Sequence, residues 1–186
     1  MQATMVFPSR LSALIATNVR WLRQALRLLK QLDDTAYSAT APGFAPHRAG
    51  AHLRHVLEFY QCFLDGMESS HIDYDARRRD ESIERSRQTA AAAIRSIIQG
   101  LETQADVRQE RVVWVRMEDA QDSGVRDTFM ESSLSRELQV LSSHTIHHFA
   151  LIAVTLRAHG LHLDADFGMA PSTLRHLAGK RTPEAA

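Results

Sequence analysis

Three histidines, His144, His147 and His148, fall within five residues of a stretch whose apolar spacing is helical on both sides. His144 and His148 are four apart, so on a helix their imidazoles leave one face a single turn from each other. That spacing lets two rings reach one divalent ion, and a third imidazole from a neighbouring helix would leave coordination positions open for water or substrate. His147 points about 100° away from His148 and suits a surface or supporting role. His52 and His55, three apart on an earlier helix, are the obvious sources of the third ring.

These rings need helices to carry them, and the periodicity supplies four long ones. Leu11, Leu14, Ile15, Val19, Leu22, Leu26 and Leu29 mark a helix from Ser9 to about Leu32. Asp33 to Pro46, with its prolines and small residues, reads as a loop. A second helix from about His47 to Met67 buries Leu53, Val56, Leu57, Tyr60, Phe63 and Leu64. The charged segment His71 to Asp80 reads as a connector to a third helix, about Glu81 to Gln104. Val112 to Met117 and Val125 to Phe129 flank the turn signal Asp122-Ser123-Gly124, which predicts a β-hairpin. The fourth helix runs from Ser133, with Ser133 or Ser135 as cap, to about His159, and Gly160 closes it. Pro171 onward predicts a short fifth helix. The expected fold is all-α, a four-helix bundle with a small β-hairpin inserted before the last long helix. Residues 1–180 form one domain in this reading and 181–186 a disordered tail.

With 186 residues, 22 basic and 22 acidic, the charges cancel, which argues against a dedicated nucleic-acid binder. The one cysteine, Cys62, excludes an internal disulfide and fits a reducing compartment. No run approaches the roughly 20 apolar residues of a membrane span, and no leader pattern stands at the N-terminus, so a cytoplasmic location is expected. Arg77, Arg78 and Arg79 lie among Asp73, Asp75, Asp80 and Glu81, and read either as a paired, solvated connector or as an anion clamp at the mouth of the bundle. Trp21 and Trp114 read as packing residues, and Cys62 as a buried, inert thiol.

The run His55-Val56-Leu57-Glu58 and the H-x-x-x-H of His144 to His148, in this helix order, resemble the DinB-like superfamily of helical bundles. That superfamily includes metal-dependent hydrolases and thiol-dependent transferases. The resemblance spans roughly Ser9 to Gly160, although many relatives carry Arg-Gly-Gln where this chain has Phe149-Ala150-Leu151. It implies a zinc or nickel ion on His55, His144 and His148, with His52 as the alternative first ligand. A low-molecular-weight thiol is a further expected cosubstrate.

Such an ion would lower the pKa of bound water towards about 7 or stabilise a thiolate. Glu58 and Glu137 are the candidate general bases, against the simpler reading of each as a solvated or salt-bridged carboxylate. A small-molecule substrate and a homodimer are expected, without nucleic-acid or membrane partners. The competing expectation is a non-catalytic dimer or partner-binding bundle, with a structural metal or none. Ordinary histidine titration predicts loss of metal below about pH 6.

Overall fold

A computed structural model describes residues 9–40, 48–104, 109–117 and 128–180. The described chain is mostly helical, with one small sheet. Helix α1 (Arg10–Gln31) starts where the Ser9 side chain accepts from the Ser12 amide, satisfying a free N–H of the first turn. Its apolar stripe buries Leu11, Ile15, Val19, Leu22 and Leu29, with Leu14 and Leu26 half-buried at the margin. Trp21 is buried as expected, and its indole donates to Ser142 Oγ at 2.9 Å.

The segment from Asp33 departs from the predicted loop. Asp33 caps a short helix, α2 (Asp34–Ser38), which buries Tyr37 against the chain near Ile83. Residues 41–47 lie outside the described residues. Helix α3 (Ala49–Gly66) buries Leu53, Val56, Leu57, Tyr60 and Phe63. Leu64, expected in that core, is only partly buried.

Within the predicted connector lies a strand, β1 (His71–Asp73), that alternation could not reveal because it is three residues long. It lies tight against α3: a Cβ on Gly66 would come within 2.4 Å of the His71 carbonyl oxygen. A side chain there would push the strand off the helix. The third predicted helix is two, α4 (Glu81–Arg85) and α5 (Arg87–Thr103), broken at Ser86 with ψ 116°. Asp80 caps α4 and Ser86 caps α5, so each piece starts on its own side-chain acceptor.

Strand β2 (Val112–Arg116) agrees with the predicted first arm of the hairpin. The second arm is displaced to β3 (Met130–Ser133), beyond Thr128 and Phe129, while the turn signal at 122–124 and Val125 lie outside the described residues. Phe129 instead packs edge-on to His71, with the Arg116 guanidinium above its ring. β2 pairs parallel to β1 and antiparallel to β3, so the predicted hairpin is a three-stranded sheet. Trp114 sits on its outer face, half-exposed.

Ser133, not Ser135, caps helix α6 (Leu134–Ala158), and Gly160 ends it at φ 77°, a left-handed conformation that favours glycine. The last described element is helix α7 (Pro171–Lys180), and the predicted tail at 181–186 lies outside the described residues. Helix α6 packs against α1 and α3, and α5 packs against the same two helices. No helix of the described residues is long and apolar enough to cross a membrane.

At the centre sits a polar knot. Asn18 of α1 donates through Nδ2 to the carbonyls of Leu14 at 2.9 Å and of Leu138 at 3.0 Å. The Tyr60 hydroxyl of α3 donates to Asn18 Oδ1 at 2.7 Å and lies 3.0 Å from Thr145 Oγ1 of α6. Asn18, Tyr60 and Thr145 are all fully buried. The knot ties together the three helices that carry and support the histidines.

Candidate metal centre

His55 on α3 and His144 and His148 on α6 meet across the interface of those helices. One ring nitrogen from each lies within 4.8 Å of the others. Nitrogens bound tetrahedrally at about 2.1 Å to one ion lie about 3.4 Å apart, so the widest pair needs to close by no more than about 1.4 Å. This is the set the family resemblance implied.

His52 and His55, left open by spacing, take different places. His55 Nε2 lies 3.1 Å from His144 Nε2, inside the cluster. His52 Nδ1 lies 3.0 Å from His148 Nδ1, and His52 is outside the three converging rings. A partner on the nitrogen that does not bind is how a ligating imidazole is usually oriented and its tautomer fixed. His147 stands outside on the exposed side of α6, its ring 5.2 Å from that of His148.

The proton positions follow from the partners. Arg77 Nη1, which can only donate, lies 2.8 Å from His55 Nδ1. In the neutral His55 ring the proton therefore sits on Nε2 and is shared with His144 Nε2. The proton of His144 is then on Nδ1, a buried atom with no hydrogen-bond partner among the described residues. His144 is already the tautomer that offers Nε2 to a metal.

All three rings are held neutral. Burial, then the Arg77 charge, pushes His55 down to about 4. Burial, then His55, pushes His144 down to about 4. Burial, then His144 and His55, pushes His148 down to about 3. Neutral imidazole is the ligating form, so the donor chemistry and the spacing both fit a divalent cation. Protons compete with an ion at these rings only near pH 4, and the value of about 6 expected from ordinary histidine is revised downward by this burial.

The same shifts predict acid sensitivity of the metal-free chain. The unfolded chain protonates these histidines from about pH 6.5, while the folded chain resists until about 3 to 4. Their contribution to stability is thus complete above 6.5 and is lost as pH falls through that window. For three coupled, partly solvated rings the loss is on the order of 2–3 kcal/mol, less than three independent sites would give. Thermal melts of metal-free protein between pH 7 and 4 measure it. A variant with glutamine at 55, 144 and 148 should lose less over that range, and an equal loss would contradict the assignment.

Beneath the cluster the rings stack. Phe59, one turn after His55, lies 4.2 Å from His144 and 5.0 Å from Tyr74, centroid to centroid. The i,i+4 spacing of His55 and Phe59 was available in the sequence as a signal for this floor. Tyr74 had no such signal, because β1 places it.

The two candidate bases are neither solvated nor salt-bridged. Glu58 is buried and accepts from the Asp80 amide at 2.8 Å. Glu137 is buried and accepts from the Tyr74 hydroxyl at 2.9 Å and the Ser132 hydroxyl at 2.6 Å. Both carboxylates act as buried hydrogen-bond acceptors, Glu58 joining α3 to the start of α4 and Glu137 joining α6 to Tyr74 after β1 and to Ser132 of β3. Cys62 is buried, and burial pushes its thiol up to about 11, so it stays protonated and inert.

Helices and site together define a mostly helical protein carrying a three-histidine cluster able to hold a metal ion. No family model matches the chain, and no solved structure matches it significantly. The chain is similar to the FK506-binding protein 5 of Rhizopus delemar, 35% identical over 107 residues. That match takes in 57% of this chain and spans only 27% of the fungal protein. A likeness over so small a part carries neither the fold nor the activity of that protein to this one.

Proposed function

We propose that the chain is a DinB-like four-helix bundle, formed by α1, α3, α5 and α6, that binds a divalent metal and uses it in hydrolysis or thiol-dependent transfer. The observation that carries this reading is the convergence of His55, His144 and His148 within 4.8 Å. Three neutral nitrogen donors suit zinc or nickel. When bound, the ion would supply Lewis acidity and, with three protein ligands, open positions for water or substrate.

The chain's own residues divide the remaining work. His52 orients His148 through its Nδ1, and Phe59 and Tyr74 close the floor against water. The buried, protonated Cys62 is unsuited as the reacting thiol, so transfer would draw on a diffusible one. Glu58 Oε1 accepts from the Asp80 amide and both Glu137 oxygens accept from hydroxyls, which makes neither a ready general base.

One observation favours the second reading, a non-catalytic bundle acting as a dimer or partner-binder. The four rings lie within hydrogen-bonding distance in pairs, His144 with His55 and His52 with His148. Assays of zinc- and nickel-loaded protein separate the two. The catalytic reading expects turnover of an ester panel, or of an electrophile with a small thiol, that a chelator abolishes and added metal restores. Turnover unaffected by the chelator, or none with any metal, would leave the structural reading. Light scattering on the same samples tests the homodimer.

A further inference from the structure

We infer that Arg77 recognises a carboxylate on the ligand of this centre, making the substrate a small carboxylate-bearing anion. The inference rests on the metal reading and adds to it the charge of what binds. Arg77 is half-buried beside the cluster, and no carboxylate among the described residues pairs with it. Its neighbours in the basic run behave otherwise: Arg78 is exposed and pairs with Asp65 at 3.3 Å. Arg79 is also exposed. Of the two readings of that run, the clamp thus fits Arg77 and the solvated connector fits Arg78.

The guanidinium is aimed before anything binds. Nε donates to the Tyr74 carbonyl at 3.0 Å, and the group lies 5.2 Å from the centre of the Phe59 ring. Nη1 lies 2.8 Å from His55 Nδ1, while Nη2 has no hydrogen-bond partner among the described residues. A planar cation held this way presents its free donors as a fork to a carboxylate, and little side-chain freedom is left to lose on binding.

If His55 were to hold an ion through Nε2, its proton would sit on Nδ1, which could not accept from Arg77, and Nη1 would be free beside Nη2. The site would then hold a divalent ion on three neutral ligands beside a second, unpaired cation. Nearby Glu58 and Glu137 are tied up by their own donors. An anion bridging metal and guanidinium is the ligand that this charge pattern selects.

Malonate serves as the probe, titrated calorimetrically into the zinc-loaded full chain, with zinc content measured before and after. Wild type should bind malonate with zinc retained. Arg77→Met should keep its zinc and bind malonate at least tenfold more weakly. Arg77→Lys, which keeps the charge but loses the fork, should fall between them and guards against a folding defect in the methionine variant. Equal malonate binding by zinc-loaded wild type and Arg77→Met overturns the inference. So does a zinc-loaded wild type that ignores malonate, or one that prefers inorganic phosphate. A wild type that takes up no zinc overturns the metal reading and this inference with it, and the zinc measurement tells the two failures apart.

Discussion

His55→Ala removes the bound metal, whereas His52→Ala weakens it by about ten- to a hundredfold and leaves it detectable. His55 lies inside the cluster with His144 and His148, and two imidazoles on α6 alone are a poor site for zinc, which takes three or four protein ligands. His52 is outside the three converging rings and meets His148 Nδ1 at 3.0 Å. Its loss leaves the three donors in place and frees one ring to turn. His144→Ala and His148→Ala should match His55→Ala, and His147→Ala should match wild type. Equilibrium zinc titration against a chromogenic chelator ranks the five variants. Equal losses for His52→Ala and His55→Ala would contradict the division of roles.

Asn18→Ala should lower stability by on the order of 3 kcal/mol, or roughly 6–12 °C in Tm for a chain of this size. The side chain is fully buried and joins three helices through the Leu14 and Leu138 carbonyls and the Tyr60 hydroxyl. Alanine leaves the Leu138 carbonyl and the Tyr60 hydroxyl without that partner, in surroundings closed to water. The loss reaches the site because Tyr60 lies on the helix of His55, and Thr145 is next to His144. Tyr60→Phe should cost less, since it leaves Asn18 Oδ1 without its donor but keeps both bonds from Asn18 Nδ2. Thermal melts at pH 7 compare the two. A Tm for Asn18→Ala within 2 °C of wild type, an interval of roughly 1 kcal/mol or less, would contradict a central role for the knot.

The long helices were legible because each repeats its apolar residues over several turns: α1, α3 and α6 fall within two residues of their expected bounds, and α5 takes up the expected third helix from Arg87 onward. The His144/His148 pair was legible for the same reason, since helical period fixes which side chains share a face. What escaped is what tertiary contact decides. Strand β1 is three residues whose partner, β2, lies some forty positions away, and its burial of Ile72 is set by α3. The break at Ser86 interrupts no apolar period, because Ile83 and Ala90 stay buried on either side of it.

Within the site, spacing put His52 and His55 on one face without ranking them. Only the packing of α3 on α6 sends one ring into the cluster and the other behind it. The candidate bases illustrate the same limit. Glu58 and Glu137 stand near the histidines in the sequence, yet Glu58 accepts from Asp80 and Glu137 from Tyr74, partners 22 and 63 positions away that no local pattern brings to them.

Anomalous diffraction from crystals of the untagged protein grown with zinc tests the central claim most directly. The expected result is one strong peak between α3 and α6, about 2.0–2.1 Å from a ring nitrogen of each of His55, His144 and His148, with at least one non-protein ligand. His52 should stand behind His148 without touching the ion. No peak there, or a peak elsewhere with His55 and His144 still hydrogen-bonded to each other, would contradict it.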